Sequence, residues 1–335
     1  MNEQHPLHQH LFHIFLLALA LLIGFFNLFI GEVPLSAGDI LAGLAGTGDE
    51  TTTIIIQELR LPRVALGLLA GATLGLSGAA LQGLLRNPLA DPGVIGVSSS
   101  AGLGAVIAIY FGLSASLPLT VPLLAMTGAL LATLVLLFLA ARDASILTLI
   151  LAGIGISSLA TALMSLVLNF APTAMSVQDM IMWLLGSLEN RTIQDLGLAL
   201  PFILLGWGLM LGVGQGLDAT SLGEETAHTL GINLKRLRLQ VVLGSALSVG
   251  AVVSICGAVG FVGLVVPHIM RHFVGHAPGR LLLSSALGGA ILLSLADLAT
   301  RLPVGQGQLR LGVVTAFVGA PLFLYIIYKT REMMR

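Results

Sequence analysis

Long apolar runs separated by short polar breaks fill almost the whole chain. A helix needs about 20 apolar residues to cross the roughly 30 Å hydrocarbon core of a membrane, and most of these runs reach that length. The pattern therefore predicts membrane-spanning helices over residues 11–30, 64–85, 94–113, 117–141, 146–170, 193–214, 281–298 and 311–328.

A further apolar run, residues 237–270, is too long for one crossing. It contains 34 residues, and Gly257, Gly260 and Gly263 near its middle give the chain a place to turn back. Dividing the run there gives ten predicted spans, of which the eighth is short.

Glycines recur at every fourth residue in two of the predicted spans. Small residues at this spacing let helix backbones approach closely inside a membrane. The spacing therefore predicts a compact helical bundle. The residues concerned are Gly67, Gly71 and Gly75 in the second span, and Gly208, Gly212 and Gly216 at the end of the sixth.

The composition agrees with a membrane protein. Of the 335 residues, 56% are hydrophobic and 9% are charged, whereas an ordinary soluble domain has about 25% charged residues. The net charge is −1, so no overall positive field attracts nucleic acid. We expect an all-α polytopic membrane protein that binds no nucleic acid.

The distribution of Lys and Arg predicts the orientation. Ten spans place both termini on one side of the membrane, and only five of the 15 Lys and Arg residues then lie on the opposite side, leaving ten with the termini. Because cytoplasmic loops carry the excess of positive charge, both termini are predicted to be cytoplasmic. The five outer residues are Arg60, Arg63, Arg191, Arg301 and Arg310.

The sequence contains no G-x-x-x-x-G-K-[ST] phosphate loop. Ionisable residues are also nearly missing from the middles of the spans, where ion-coupled carriers usually keep some. Asp297 is the clearest exception, and its spacing of four residues from Arg301 predicts a local ion pair. We expect a transport subunit that is not an enzyme and is driven by a separate partner. A stand-alone secondary carrier or channel is the alternative.

The sequence predicts neither a metal site nor a cofactor. The single cysteine, Cys256, lies inside an apolar run, where a thiol usually serves as core packing. Four histidines crowd the N-terminus without an accompanying cysteine pattern, and capture of metal or haem by them is the open alternative. They are His5, His8, His10 and His13.

The longest predicted cytoplasmic interruption, residues 216–238, carries the signals of two short helices. Ser221 followed by Glu224 predicts a capping box. Gly231 suits the left-handed residue that ends a helix, and Asn233 can cap a second one. An ordinary connecting loop needs no such residues. The segment therefore predicts a rigid knob outside the membrane, called the coupling loop below.

Within the coupling loop, Glu225, Thr226 and Ala227 followed by Gly231 resemble the E-A-A-x-x-x-G loop with which bacterial ABC-importer permeases dock onto their ATPases. Further stretches resemble the FecCD-type family, the permeases for iron-siderophores, haem and cobalamin. These stretches follow the family's order through nearly the whole chain. They are residues 59–63 (LRLPR), 86–93 (RNPLADPG), 151–153 (LAG), 182–186 (MWLLG), 260–268 (GFVGLVVPH) and 319–321 (GAP).

The resemblance implies a type II ABC-importer permease bundle with ten transmembrane helices per subunit, in a single transmembrane domain over residues 1–335. It implies a bacterial inner-membrane complex with a second permease copy, expected as a homodimer, two ABC ATPase subunits and a periplasmic substrate-binding protein. The implied cargo is an iron chelate, with a ferric siderophore first and haem or cobalamin next.

The resemblance also implies roles for particular residues. Asn87 and Leu89 match the cytoplasmic gate, although a plain turn would have the same sequence character. A row of hydroxyl residues in the fifth span matches the transport pathway, although these residues could equally hydrogen-bond neighbouring helices. The row consists of Ser157, Ser158, Thr161 and Ser165.

Two docking surfaces complete the expectation. Arg60, Arg63 and Arg301 match the family's arginines that pair with acidic residues of the binding protein, and Arg310 is a further candidate. Solvated side chains are the alternative for these arginines. ATPase coupling is expected from the coupling loop, through Ser221, Glu224, Glu225, Ala227 and Gly231.

Overall fold

The computed structural model describes residues 6–31, 33–113, 117, 119–142, 145–302 and 309–333, and these residues contain helices but no strand. A π-helical segment, Ile55–Arg60, joins α3 to α4, and a 3-10 turn, Pro92–Ile95, precedes α5. The helices are α1 (Pro6–Phe29), α2 (Ala37–Ala45), α3 (Glu50–Ile54), α4 (Leu61–Leu85), α5 (Val97–Tyr110), α6 (Thr120–Arg142), α7 (Ile146–Asn169), α8 (Ala174–Leu184), α9 (Ile193–Met210), α10 (Val213–Ser221), α11 (Glu224–Thr229), α12 (Leu234–Cys256), α13 (Val262–Val274), α14 (Pro278–Thr300) and α15 (Leu311–Met333).

The predicted spans correspond to helices in the structure. Within the described ranges, seven helices are long and apolar enough to cross a membrane. Three shorter apolar helices, Val97–Tyr110, Val262–Val274 and Leu311–Tyr325, match the predicted third, eighth and tenth spans. This agrees with a ten-helix bundle.

The long apolar run divides as predicted. α12 ends at Cys256, and Gly257 follows with φ +72°, a conformation that L-residues with side chains rarely adopt. α13 then begins at Val262. A Cβ atom on Gly257 would lie 2.3 Å from the carbonyl oxygen of Trp183, so the turn also needs glycine for its close contact with the end of α8.

The most extensively packed helix pair in the described residues is α4 with α14, which run antiparallel. A Cβ atom on Gly71 would lie 2.2 Å from the Gly289 carbonyl oxygen, and one on Gly75 would lie 2.0 Å from the Ser285 carbonyl oxygen. Since real Cβ atoms never come so close, the two backbones are in direct contact. We call these four residues the glycine seam. Gly67, the first member of the predicted series, is less tightly packed, with a Leu188 methyl group 3.4 Å from the added Cβ position.

Of the glycine series predicted in the sixth span, only Gly216, which lies in α10, makes a close contact: its added Cβ would lie 2.9 Å from a methyl group of Leu237 on α12. No atom lies within 4 Å of a Cβ position on Gly208 or Gly212, and Gly212, at φ +80°, instead separates α9 from α10. α9 approaches α12 through Gly206, whose added Cβ would lie 2.5 Å from the Gly244 carbonyl oxygen. Helix rotation, which neighbouring helices set, puts Gly206 in contact and leaves Gly208 outside.

The bundle has two ends, which we name from the predicted orientation. The inner end is where α4 finishes at Leu85, and the outer end is where α14 finishes at Thr300. The core lies between α4, α5, α12 and α14, where the largest hydrophobic cluster is buried. α7 lies at the periphery, and only 11% of its most apolar stretch is buried.

Candidate transport and docking sites

At the outer end, one carboxylate pairs with two arginines. Asp297 of α14 accepts hydrogen bonds from Arg63 of α4, the shortest at 2.8 Å, and from Arg301 at 2.5 Å. Asp297 is 3% exposed, and Arg63 also donates to the Thr300 hydroxyl at 3.3 Å. The predicted pair of Asp297 with Arg301 is confirmed. The pairing with Arg63 joins the outer ends of α4 and α14.

Arg60 is buried, with 7% exposure, so the expectation that a soluble partner reaches this side chain is wrong for this chain. The guanidinium donates to the carbonyl oxygens of Leu28, at 2.6 Å, and Val33. Arg301 likewise donates to Asn27, at 2.8 Å, and Ile30. Each arginine therefore satisfies one carbonyl group in the last turn of α1, where helix geometry leaves carbonyls without partners, and one just after the helix ends at Phe29.

Arg310 lies at the start of α15 and pairs with Glu189 at 3.3 Å. The side chains of Arg310 and Arg63 are 24% and 21% exposed. The backbone beside Arg310 is anchored as well, because Leu311 and Gly312 donate their N–H groups to the carbonyls of Gly186 and Leu185. Arg310 and Arg63 thus remain within reach of a partner, whereas Arg60 is covered.

The hydroxyl row of α7 lies on an exposed side of that helix. Ser158, Thr161 and Ser165 are exposed. Thr161 donates to the Ser157 carbonyl at 2.8 Å and Ser165 donates to the Thr161 carbonyl at 2.9 Å. Ser157 alone contacts another segment, the Gly93 carbonyl, at 3.5 Å. Most of the row therefore faces outward from the single chain and does not join helices of the bundle.

Residues 86–91, the gate turn, connect α4 to the 3-10 turn at the inner end. Arg86 ends α4 at φ +49°, and Leu89 donates its N–H to the Asn87 side chain at 2.9 Å. Leu89 is 39% exposed. Asp91 accepts from the Gly93 N–H at 2.8 Å and Pro92 directly follows, so the two residues form the N-cap and the first position of the 3-10 turn. Burial raises the pKa of the Asp91 carboxyl, while the Gly93 N–H opposes that rise.

The coupling loop is more helical than the sequence predicted. α10 begins at Val213 and runs through Gly216 and Ser221. The predicted capping box is wrong, because the Ser221 hydroxyl donates back to the Asp218 carbonyl at 2.6 Å and α11 starts after Gly223 without a side-chain cap. The hydroxyl thus satisfies a carbonyl of its own helix instead of an amide of the next.

The second half of the coupling loop follows the prediction. Gly231 has φ +82° directly after α11, and the Asn233 side chain accepts from the Arg236 N–H at 2.9 Å. Ala227 is fully buried, whereas Glu225 is exposed. The short helix α11 is therefore held against the protein on one side and open on the other.

Glu224 connects the coupling loop to its surroundings. Arg238 of α12 donates to both carboxylate oxygens of Glu224 at 2.8 Å, and Arg86 of the gate turn lies 3.7 Å from the same carboxylate. The ion pair between Arg238 and Glu224 is a short, charge-assisted hydrogen bond. The ion pair between Arg86 and Glu224 is longer and more exposed to solvent, so it is weaker. Glu224 thus lies between α11, α12 and the gate turn.

Asp218 is a structurally important residue that the sequence analysis missed. Its carboxylate accepts the Gly279 N–H of α14 at 2.7 Å. Ala277 and Pro278 begin α14 without a side-chain cap, so Asp218 of α10 provides the negative charge that a helix N-terminus favours. The pairing spans 61 residues, and no local spacing could have indicated it.

Among the described residues, no group of three or more His, Cys, Asp or Glu side chains is arranged to hold a metal ion. His5 lies outside the described residues. His13 donates to or accepts from the Ser284 hydroxyl at 2.8 Å, which gives this histidine a packing role between α1 and α14.

Similarity to known proteins extends over most of the chain. The model of the FecCD transport family matches residues 18–329. An uncharacterized ABC transporter permease protein, YvrB of Bacillus subtilis (strain 168), is 40% identical over 294 residues, which cover 86% of this chain and 82% of the relative. The vitamin B12 import system permease protein BtuC of Salmonella typhi is 38% identical over 314 residues, which cover 93% of each chain.

A solved structure is similar as well. It shows a metal-chelate type ABC transporter in an inward-facing conformation, with 32% sequence identity and a TM-score of 0.84. The matched region covers 95% of this chain and 98% of that chain. The agreement in both sequence and fold thus extends from the first span to the last.

Proposed function

The chain belongs to the FecCD transport family, and from that membership we propose that it is the permease subunit of a bacterial ABC importer. The observation that carries the proposal is the family match over residues 18–329, which includes both the gate turn and the coupling loop. The proposed location is the bacterial inner membrane, with residues 1–335 forming one transport domain and both termini in the cytoplasm.

The proposed complex contains a second copy of this chain, two ABC ATPase subunits and a periplasmic substrate-binding protein. Energy comes from the ATPases. α11 is the proposed contact, because Glu225 is exposed while Ala227 anchors the helix. ATP-driven movement of the coupling loop would then tilt the helices around the pathway. The exposed hydroxyl row of α7 is proposed to line that pathway.

The proposed cargo is a metal chelate. The relatives' names, vitamin B12 import and metal-chelate transport, support this class. Within it we propose a ferric siderophore first and haem or cobalamin next. The hydroxyl row offers donors and acceptors on an otherwise apolar helix, which suits a large cargo that must not be held tightly.

Docking of the binding protein is proposed at the outer arginines. Arg63 and Arg310 are the proposed direct contacts because their side chains are partly exposed. Arg60 and Arg301 act beneath them by fixing the end of α1. Charges at the edge of an interface set register and the rate of encounter more than final affinity.

The test uses proteoliposomes that contain this chain together with its ATPase and its binding protein. The double variant Arg63→Gln and Arg310→Gln should weaken binding-protein association by at least about tenfold at low salt, with ATPase assembly unchanged. The control Arg191→Gln removes an outer arginine that lies outside the docking set.

Uptake of a ferric siderophore, haem and cobalamin is measured in parallel with and without ATP. Uptake that requires ATP supports the importer, and the cargo that accumulates identifies the substrate class. ATP-independent transport by the purified chain would instead establish a stand-alone carrier or channel. Intact docking in the double variant would show that the outer arginines play no part in it.

A further inference from the structure

Gln82, near the inner end of α4, makes an unusual set of contacts. It is 3% exposed. Its amide nitrogen lies 3.2 Å from the Ala90 carbonyl and 3.3 Å from both the Gly263 and Leu264 carbonyls. Its amide oxygen accepts from Arg271 at 2.5 Å. Both polar ends of one buried side chain are therefore used.

These contacts join three separate segments. Ala90 belongs to the gate turn, and Gly263 and Leu264 begin α13, which also carries Arg271. Pro267 of α13 has no N–H to donate to the Gly263 carbonyl four residues earlier, and the Gln82 amide reaches that carbonyl and the neighbouring Leu264 carbonyl. A single residue of α4 thus connects the gate turn to the start and to the last turn of α13.

Close packing reinforces the same junction. A Cβ atom on Gly263 would lie 2.7 Å from Cδ of Pro92 and 3.0 Å from the Leu74 carbonyl oxygen. One on Gly78 would lie 2.0 Å from the Gly263 carbonyl oxygen. Because α4, α13 and the residue after the gate turn touch at backbone distance, a small shift of α13 must move the gate turn or break these contacts.

We propose that Gln82 is the positioning residue of the gate turn, which it fixes to α13 through the Ala90, Gly263 and Leu264 carbonyls and the Arg271 guanidinium. The inference rests on the proposed function and on the gating role that the family resemblance implies for Asn87 and Leu89. A buried amide that bonds only within α4 would serve stability alone. Gln82 instead spans two segments that are far apart in sequence, one of which is the gate turn.

The Arg86 contact with Glu224 gives the gate turn a second attachment. Through it the first residue of the turn lies against the coupling loop, while Gln82 holds the turn's other end, near Ala90. The Arg86 contact is exposed and long at 3.7 Å, so it can exchange during movement, whereas the buried Gln82 contacts cannot be replaced by water. The turn is therefore expected to pivot about its Ala90 end.

The experiment measures gate-turn exposure directly and needs no knowledge of the cargo. Leu89→Cys is introduced into the complex with its ATPase in inverted membrane vesicles, and its reaction with a membrane-impermeant maleimide is timed with and without ATP plus vanadate. Cys256 is buried and gives a low background. Gln82→Leu then removes all the amide contacts, and Gln82→Glu retains an acceptor for Arg271 while losing the donor.

Gln82→Leu should raise the labelling rate of Leu89→Cys by about tenfold and abolish its response to ATP plus vanadate, with ATP hydrolysis retained. Gln82→Glu should fall between Gln82→Leu and the parent. Gln57→Leu is the matched control, because Gln57 also donates to a carbonyl, that of Gly43 at 2.9 Å, but on the outer side. It should leave labelling unchanged.

Equal labelling in the parent and both Gln82 variants would overturn the positioning role. If labelling of Leu89→Cys in the parent does not respond to ATP plus vanadate, the proposed gate itself fails, and the inference fails with it. Should Gln82→Leu not assemble with the ATPase, Gln82→Glu decides, because a response equal to the parent in that variant would also overturn the proposal.

Discussion

The α4–α14 pair and α7 have similar hydrophobicity but opposite surroundings. In the continuous helical segment Glu50–Leu85, which includes α4, the most apolar stretch has a mean hydropathy of 1.8 and is 72% buried. In Leu147–Asn169, which belongs to α7, the most apolar stretch has a mean hydropathy of 2.0 and is 11% buried. Hydrophobicity therefore does not decide which helix enters the core. Glycine placement differs between them: the seam brings α4 and α14 into backbone contact, whereas the close glycine contact of α7, that of Gly153 with the Val94 carbonyl, is to the 3-10 turn. α7 presents leucines such as Leu151, Leu159 and Leu166 outward.

The difference teaches that two kinds of helix are needed in such a bundle. A helix pair in backbone contact gains dispersion contacts along its whole length and resists sliding. An apolar helix left open must be covered by lipid or by a second copy, and its hydroxyl row suits a face that changes partners. The first kind provides stability, and the second provides the surface on which transport is proposed to occur.

The largest effect is expected at the seam. Gly75→Ala places a Cβ atom 2.0 Å from the Ser285 carbonyl oxygen, so α4 and α14 must separate, at a cost of about 3 kcal/mol. Thermal unfolding in detergent measures the change. Gly197→Ala on α9 is the control, since nothing lies within 4 Å of its added Cβ. Equal loss in both variants would contradict the comparison.

A smaller effect is expected where the seam ends. Asp297→Asn leaves Arg63 and Arg301 without their shared carboxylate and should cost about 2 kcal/mol, since Arg63 retains some access to solvent. The same unfolding assay measures it, with the exposed Asp179→Asn on α8 as control, expected within about 0.5 kcal/mol of the parent. An unchanged unfolding temperature for Asp297→Asn would show that the ion pairs do not fasten the seam.

The smallest effect on stability is expected on α7. Thr161→Val should leave the free energy of unfolding within about 0.5 kcal/mol of the parent value. It should lower uptake roughly threefold, which corresponds to the loss of one hydrogen bond of ~0.7 kcal/mol to the cargo. Thr127→Val on α6 is the control, because Thr127 is an exposed threonine that also donates at 2.8 Å to the carbonyl four residues earlier. Equal uptake in both variants would contradict a pathway role.

The sequence predicted the helices well because span length depends on local apolar content. The break in the run 237–270 was found because Gly257 adopts a conformation that favours glycine. Prediction from the sequence was less accurate for contacts that depend on how a helix is rotated about its axis. Gly206 and Gly208 look equivalent in sequence, yet only Gly206 touches α12, because neighbouring helices decide which face turns inward.

The candidate sites were predicted as segments more accurately than as contacts. The coupling loop contains a helix, a left-handed Gly231 and an Asn233 cap as expected, but Ser221 belongs to the preceding helix. Arg60 lies at the expected span end but bonds the end of α1, a segment 32 residues earlier. Gln82 and Asp218 were missed for the same reason, since their partners are distant in the chain.

The Asp218 contact makes α14 a rigid element that is attached to other helices at both of its ends. With 23 residues and about 1.5 Å of rise per residue, α14 is roughly 35 Å long, tied at one end to α10 and at the other to Arg63. At the glycine seam the backbones of α14 and α4 are in direct contact, with no layer of flexible side chains between them, so the two helices move as one unit. A displacement of α10 would therefore tilt α14 and α4 together and so move the arginines at the outer end.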